Sequence, residues 1–155
     1  MILRRPTPDD APALADLLNA IIVLGGTTAH QVPKTAEEMR HGYIDGPEVQ
    51  TAILAEEAGR ILGFQSIELY QGDSHIGTFV QPGLQAKGIG AAMFAETCAQ
   101  ARAAGITRIH AAIRADNVPG LAYYARMGFC DVGSDPGFAL NDGRVVGRIF
   151  RAFDV

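Results

Sequence analysis

Residues 75–94, "HIGTFVQPGLQAKGIGAAMF", constrain the fold more than any other stretch of the chain. An apolar strand-like run ends at Pro82, a loop carrying Gly83, Gly88 and Gly90 follows, and a helical pattern begins at once. Such a junction bares backbone amides at a helix N-terminus, where partial positive charge favours an anion, most often a phosphate. Three phosphate-binding patterns can be laid on it. A P-loop finds its glycine spacing in Gly83 and Gly88, but Ile89-Gly90 stand where its lysine and hydroxyl belong. A dinucleotide fingerprint starts at Gly88-Ile89-Gly90 and then meets Met93, too bulky for the close helix–strand contact at its third position. The third pattern, Gln/Arg-x-x-Gly-x-Gly/Ala, is matched throughout by Gln85-Ala86-Lys87-Gly88-Ile89-Gly90.

The elements around this junction follow from periodicity and punctuation. Residues 2–5 read as a first strand. Thr7-Pro8-Asp9-Asp10 opens a helix whose apolar residues, Leu14, Leu17, Leu18, Ile21 and Ile22, recur at helical spacing until Gly25-Gly26. Thr35 and Glu38 have capping-box spacing for a second helix. Residues 51–57, 60–70 and 75–80 read as three strands of an antiparallel meander, with turns at "AGR" and "QGDS". A long helix spans about 88–104, with Gly105 as its C-cap. A strand in "TRIHAAI", a short helix in "PGLAYYARM" and strands in "FCDVGS" and "RVVGRIFRAF" close the chain. The order βααβββαβαββ, with no repeat and no linker, predicts one α+β (mixed α/β) domain over residues 1–155, built around one sheet.

Composition narrows the function classes. At 155 residues, 48% hydrophobic and 19% charged, the chain has the makings of an ordinary globule. A net charge of −4 argues against a general nucleic-acid binder. Cys98 and Cys130 lie far apart without CxxC spacing, so a reduced pair is expected and no metal site. No signal-like apolar core opens the chain and no run approaches a membrane span, so a cytoplasmic protein with no membrane partner is expected.

A second motif follows the next strand: "RADNVPGLAYYARMGF", residues 114–129. With the glycine loop, it resembles the GNAT superfamily of acetyl-CoA-dependent N-acetyltransferases, and the likeness in element order extends over nearly the whole chain. Asn117, Gly120, Tyr124 and Gly128-Phe129 stand where that family carries an asparagine, a small residue, a tyrosine and a Gly-Phe pair. "GTFVQPGLQAKGIG" and "DGRVVGRIF" also look like its phosphinothricin-acetyltransferase-like branch. The resemblance implies about seven mostly antiparallel strands, splayed between the fourth and fifth, with about four flanking helices. It implies acetyl-CoA as co-substrate, without a metal. The pyrophosphate would lie on the loop and helix start, at Gln85, Lys87, Gly88, Ile89, Gly90 and Ala91, and amides near Phe79 and Val80 would hold the pantetheine arm. Asn117 would bind the cofactor or orient the acetyl end, while also suiting an Asx turn before a helix. A homodimer is a further expectation from the family.

The chemistry of acetyl transfer then assigns roles. An alkyl amine is protonated at neutral pH, so the site must accept a proton and stabilise both an oxyanion and a departing thiolate. Tyr124 matches the family's proton donor to the thiolate, and Tyr123 is expected as core or groove wall. For the base, the fourth strand offers no glutamate; Glu68, His75 and a water chain to bulk stand as alternatives. The segment "LGGTTAHQVPKTAEE" reads as a mobile binding loop for the acceptor, with His30 a possible contact. Cys98 on the long helix is expected to be structural, which favours direct transfer. The expected activity is N-acetylation of a small-molecule or amino-acid-like amine. The alternatives are an acyl-CoA sensor without turnover and a peptide or protein N-acetyltransferase.

Overall fold

The computed structural model describes residues 1–155. Seven strands form one sheet: β1 (Ile2–Arg4), β2 (Val49–Glu57), β3 (Arg60–Tyr70), β4 (Asp73–Val80), β5 (Arg108–Arg114), β6 (Cys130–Asp135) and β7 (Arg148–Asp154). Their order across the sheet is β1-β2-β3-β4-β5-β7-β6. Every pairing is antiparallel except β4–β5, which is parallel. Four α-helices flank the sheet: α1 (Ala11–Leu24), α2 (Ala36–Met39), α3 (Ile89–Ala103) and α4 (Val118–Met127). The mixed fold, the meander β2–β3–β4 and the parting of the fourth and fifth strands agree with the sequence-based expectation. No helix is long and apolar enough to cross a membrane.

Local chemistry explains most boundaries. Thr7 and Asp10 clasp each other, the Thr7 amide donating to Asp10 Oδ2 at 2.7 Å, so Pro8–Asp10 forms a 3₁₀ turn before α1 proper. The capping box at α2 forms as its spacing predicts, with Glu38 N to Thr35 Oγ1 and Thr35 N to Glu38 Oε1 both at 3.1 Å. The helix it starts is only one turn long and widens into a π-helix over Arg40–Ile44. α3 ends as expected: Gly105 takes φ +78°, and Ile106 N donates to the Ala101 carbonyl as in a Schellman motif. The last strand departs from its expected start at Arg144. Gly147 turns left-handed at φ +74°, so the extended run of β7 begins only at Arg148, and a single Ala139–Val145 bridge stands before it.

Each face of the sheet carries its own apolar cluster. On one, Leu14, Leu17, Leu18 and Ile21 of α1 pack with Met39 on Leu54, Phe64 and Phe79. On the other, Phe94, Cys98 and Ala101 of α3 and Tyr124 of α4 pack on Ile67, Ile76, Ile109, Ala111 and Ile113. Met93, which broke the dinucleotide fingerprint, is fully buried beside Ile53, Ala55 and Ile89. Phe64 stacks on Phe79 with ring centroids 4.8 Å apart, its register partner across β3–β4. Truncation of Phe64 to alanine is expected to cost about 3–5 kcal/mol, read as a fall in melting temperature or denaturation midpoint. A cost under about 1 kcal/mol would mean that this stack contributes little to holding α1 on the sheet.

Candidate active site

The parting of β4 and β5 creates the site. The two strands share one registered pair, His75–His110, and diverge beyond it. Which backbone groups this exposes follows from parity. Gln81 N donates to the Leu62 carbonyl, and the same register pairs Phe79 with Phe64 and Thr78 with Gln65. Hydrogen-bonded and non-hydrogen-bonded pairs alternate along an antiparallel ladder. Phe79 therefore turns its amide to β3, whereas Thr78 and Val80 turn theirs to the gap. This divides the expected pair: Val80 offers an amide, and Phe79 offers its ring.

At the end of the gap lies the glycine loop. Gly83, Ala86 and Gly88 take positive φ, and Gly88, at +81°, is the N-cap of α3. Ala92 N closes the first turn on the Gly88 carbonyl, so the preceding amides of Ile89, Gly90 and Ala91 lack intrahelical partners. These amides border a cavity of about 590 Å3 that runs along the gap to α4. Gln85 lines it and braces the loop, its Oε1 accepting from Gly83 N at 2.8 Å. Lys87 is exposed and does not line it. Gly90 is glycine for a steric reason: a Cβ would sit 2.8 Å from the ring of Tyr123, whose hydroxyl donates to the Gly90 carbonyl at 2.9 Å.

Asn117 caps α4, its Oδ1 accepting from Gly120 N at 3.0 Å. A Cβ at position 120 would collide with that side chain, which accounts for the small residue in the motif. The amide of Asn117 also donates to the Thr27 carbonyl at 3.1 Å, and Arg114 Nη1 donates to the Thr28 carbonyl at 3.1 Å. Arg114 is buried and held in turn by Asp116, at 2.9 and 2.7 Å. The segment expected to be a mobile loop is therefore fastened. Asn19 grips Lys34 through two further backbone bonds, and Gln31 accepts from Asn141 N at 2.6 Å.

Tyr124 is buried on the α4 side of the gap and donates to Thr78 Oγ1 at 2.9 Å. Burial raises its phenol above the ordinary tyrosine value. Tyr123 lines the same cavity, as groove wall.

The opposite face of β3–β4 bears a second cavity, of about 1100 Å3. Register sets Glu68 directly across from His75, and both line it, so two of the candidate bases come together. Burial pushes the Glu68 carboxyl up to about 7, the Ser66 hydroxyl at 2.6 Å holding it back in part. Burial pushes the His75 imidazole down, helped by the His110 ring stacked 5.6 Å away and opposed by Asp73. His30 shares a 2.8 Å hydrogen bond with the Tyr43 hydroxyl, and burial, with Lys34, favours its neutral ring. The two cavities meet: His30, Gly77, Phe79 and Ala112 border both.

The family model "Acetyltransferase (GNAT) family" matches residues 21–129, spanning the gap, the glycine loop and the Asn117–Phe129 motif. The chain belongs to the acetyltransferase (GNAT) family. It is an acyltransferase by that membership. Over 151 residues, 93% of each chain, it is 26% identical to YwnH of Bacillus subtilis (strain 168), whose name marks it as a candidate phosphinothricin acetyltransferase. The fold is similar to that of yncA from Salmonella typhimurium, solved with its cofactor acetyl-CoA, with TM-score 0.83 and 20% identity over 99% of this chain and 93% of that one. It is equally close to a GNAT phosphinothricin acetyltransferase from Sinorhizobium meliloti, solved in complex with AcCoA, with TM-score 0.84 and 19% identity over 99% and 88%. The narrower likeness read from the sequence is thus met among its relatives.

In this GNAT chain, sequence reasoning missed three residues at the gap: Gln65, Thr78 and Arg114. Strand alternation puts Gln65 and Thr78 opposite each other on one face, but a polar pair inside an apolar run carries no motif. Arg114 heads the second motif as quoted, yet an arginine ending a strand reads as exposed until the fold closes over it. The fastening by Asn117 is testable. Asn117→Ala should lower stability by about 1 kcal/mol and speed amide hydrogen exchange over residues 25–35. Unchanged exchange there would show that Asn117 does not hold the loop.

Proposed function

We propose that this chain moves an acetyl group from acetyl-CoA directly to the primary amine of a small-molecule or amino-acid-like acceptor. The observation that carries the reading is the meeting of two cavities through one gap, a helix terminus with three unpartnered amides on one side and a carboxyl raised to about 7 on the other. The residues fit acetyl-CoA. Three amides without partners at the start of α3 suit a pyrophosphate, and the open amides of Thr78 and Val80 suit a pantetheine arm and a carbonyl oxygen. The bound thioester supplies an activated acetyl group.

This chain's own groups do the rest. Glu68, with a pKa of about 7, is ionised often enough to take the amine proton and protonated often enough to release it to water. His75, beside it, remains an auxiliary acceptor. The Tyr124–Thr78 pair meets the charge that develops on the departing sulfur. Cys98 lines neither cavity and burial raises its thiol, which supports direct transfer over an acetyl-enzyme.

Thiol release with a panel of amines tests the activity. The rate should rise with pH through an inflection near 7, well below that of an alkyl amine at about 10.4. In Glu68→Gln that inflection should vanish and turnover should fall about 10²-fold or more. An unchanged profile would remove Glu68 from the mechanism and leave His75 or water. Stability should move the other way. The native carboxyl binds its proton more tightly than the unfolded one, at 4.5, so its contribution is full below 4.5 and is lost as pH rises through about 7. Glu68→Gln should therefore melt higher than wild type at pH 8, with the difference shrinking towards pH 5; equal melting at pH 8 would argue against a buried carboxylate.

A further inference from the structure

Gln65, Thr78, Tyr123 and Tyr124 form one hydrogen-bonded group whose protons can be counted. Gln65 Nε2 donates to Thr78 Oγ1 at 2.9 Å and to Tyr123 Oη at 3.1 Å. Tyr123 passes its own proton to the Gly90 carbonyl at 2.9 Å, and Tyr124 donates to Thr78 Oγ1 at 2.9 Å. That direction is the chemically favoured one, because a phenol is the stronger donor and an aliphatic hydroxyl the better acceptor. A hydroxyl has two lone pairs and one proton. Both lone pairs of Thr78 are thus filled, and its proton, for which the neighbouring Tyr123 hydroxyl is the one alternative acceptor, can turn to a ligand in the gap. Thr78 borders the donor cavity, on the stretch of β4 that β5 has left. Its backbone amide faces the same gap.

We propose that the Thr78 hydroxyl is the hydrogen-bond donor to the departing sulfur, and that Tyr124 and Gln65 are positioning residues that act through it. The inference rests on the acetyl-transfer reading above and deepens it. As the carbon–sulfur bond breaks, its electron pair stays on sulfur, where the Thr78 O–H meets it. The free thiolate then takes its proton from water, so neither Thr78 nor Tyr124 need change its charge. Burial, which makes the Tyr124 phenol reluctant to ionise, suits a residue that orients rather than surrenders a proton. Gln65, fully buried with Oε1 unpartnered, holds the other side of Thr78.

The test uses free CoA on the intact protein, following the thiolate absorbance of the bound thiol with pH, beside steady-state turnover. Thr78→Val keeps the side-chain shape and removes the donor. It should shift bound CoA about tenfold towards the thiol form and lower kcat by a similar factor, with acetyl-CoA affinity within a few-fold of wild type. Thr78→Ser should restore both. Tyr124→Phe should lower kcat, and adding it to Thr78→Val should lower kcat no further, because the two act as one unit. The proposal is overturned if Thr78→Val leaves the thiol equilibrium and kcat unchanged while Tyr124→Phe lowers kcat. That result would turn the phenol itself towards the sulfur. Failure of the wild-type protein to bind CoA would overturn the donor-site reading first, and this inference with it.

Discussion

Everything at the site depends on β4 and β5 pairing once and then separating. Eight registered pairs hold β3 to β4 and seven hold β5 to β7, so both rims of the gap are stiff. Between them the ladder is abandoned after His75–His110, and backbone groups that would normally satisfy each other are left facing a cavity. Buried unpaired amides cost about 1–3 kcal/mol each, so such an opening persists only where the surrounding packing enforces it. Here the two apolar clusters supply that packing, α1 against β2, β3 and β4 on one face and α3–α4 against β3, β4 and β5 on the other. The same separation lets the cavity on the α4 side communicate with the Glu68 cavity on the α2 side.

The second constraint is the crossing segment between α1 and α2. Thr27 and Thr28 are tied by their carbonyls to Asn117 and Arg114, residues on the far rim of the gap. The segment therefore links the two halves of a sheet whose middle strands share a single registered pair. It also sets His30 at the junction of the cavities, beside Tyr43 from the π-helix. At Glu68 the structure accepts a cost in stability: a carboxyl in a dry wall weakens the fold once ionised, and that same environment raises its pKa to about 7.

Where local chemistry decides, the sequence was readable. The Thr35–Glu38 box, the Gly105 cap, the glycine loop and the Asn117–Gly120 spacing all appear as expected, because each is set within a few residues. The register that opposes Glu68 and His75 was half readable, since both were named but nothing local paired them. Legibility failed where the determinant was tertiary. Gly90 was read from the loop pattern alone, and the steric reason for it, a Cβ that would strike the ring of Tyr123, lies 33 positions away. Phe79 and Val80 were read as one pair, and only the ladder's parity separates them. Lys87, read as a phosphate partner, stays outside the cavity. That α2 is only one turn long and continues as a π-helix gave no sign in the residue pattern.

The central claim is that the gap between β4 and β5, ending on the α3 amides, is an acetyl-CoA site. Calorimetry of the purified protein with acetyl-CoA, beside NAD and ATP, tests it most directly. The account predicts saturable one-to-one binding of acetyl-CoA and none of comparable strength for the other two. Preference for either nucleotide, or no binding of acetyl-CoA, would contradict it.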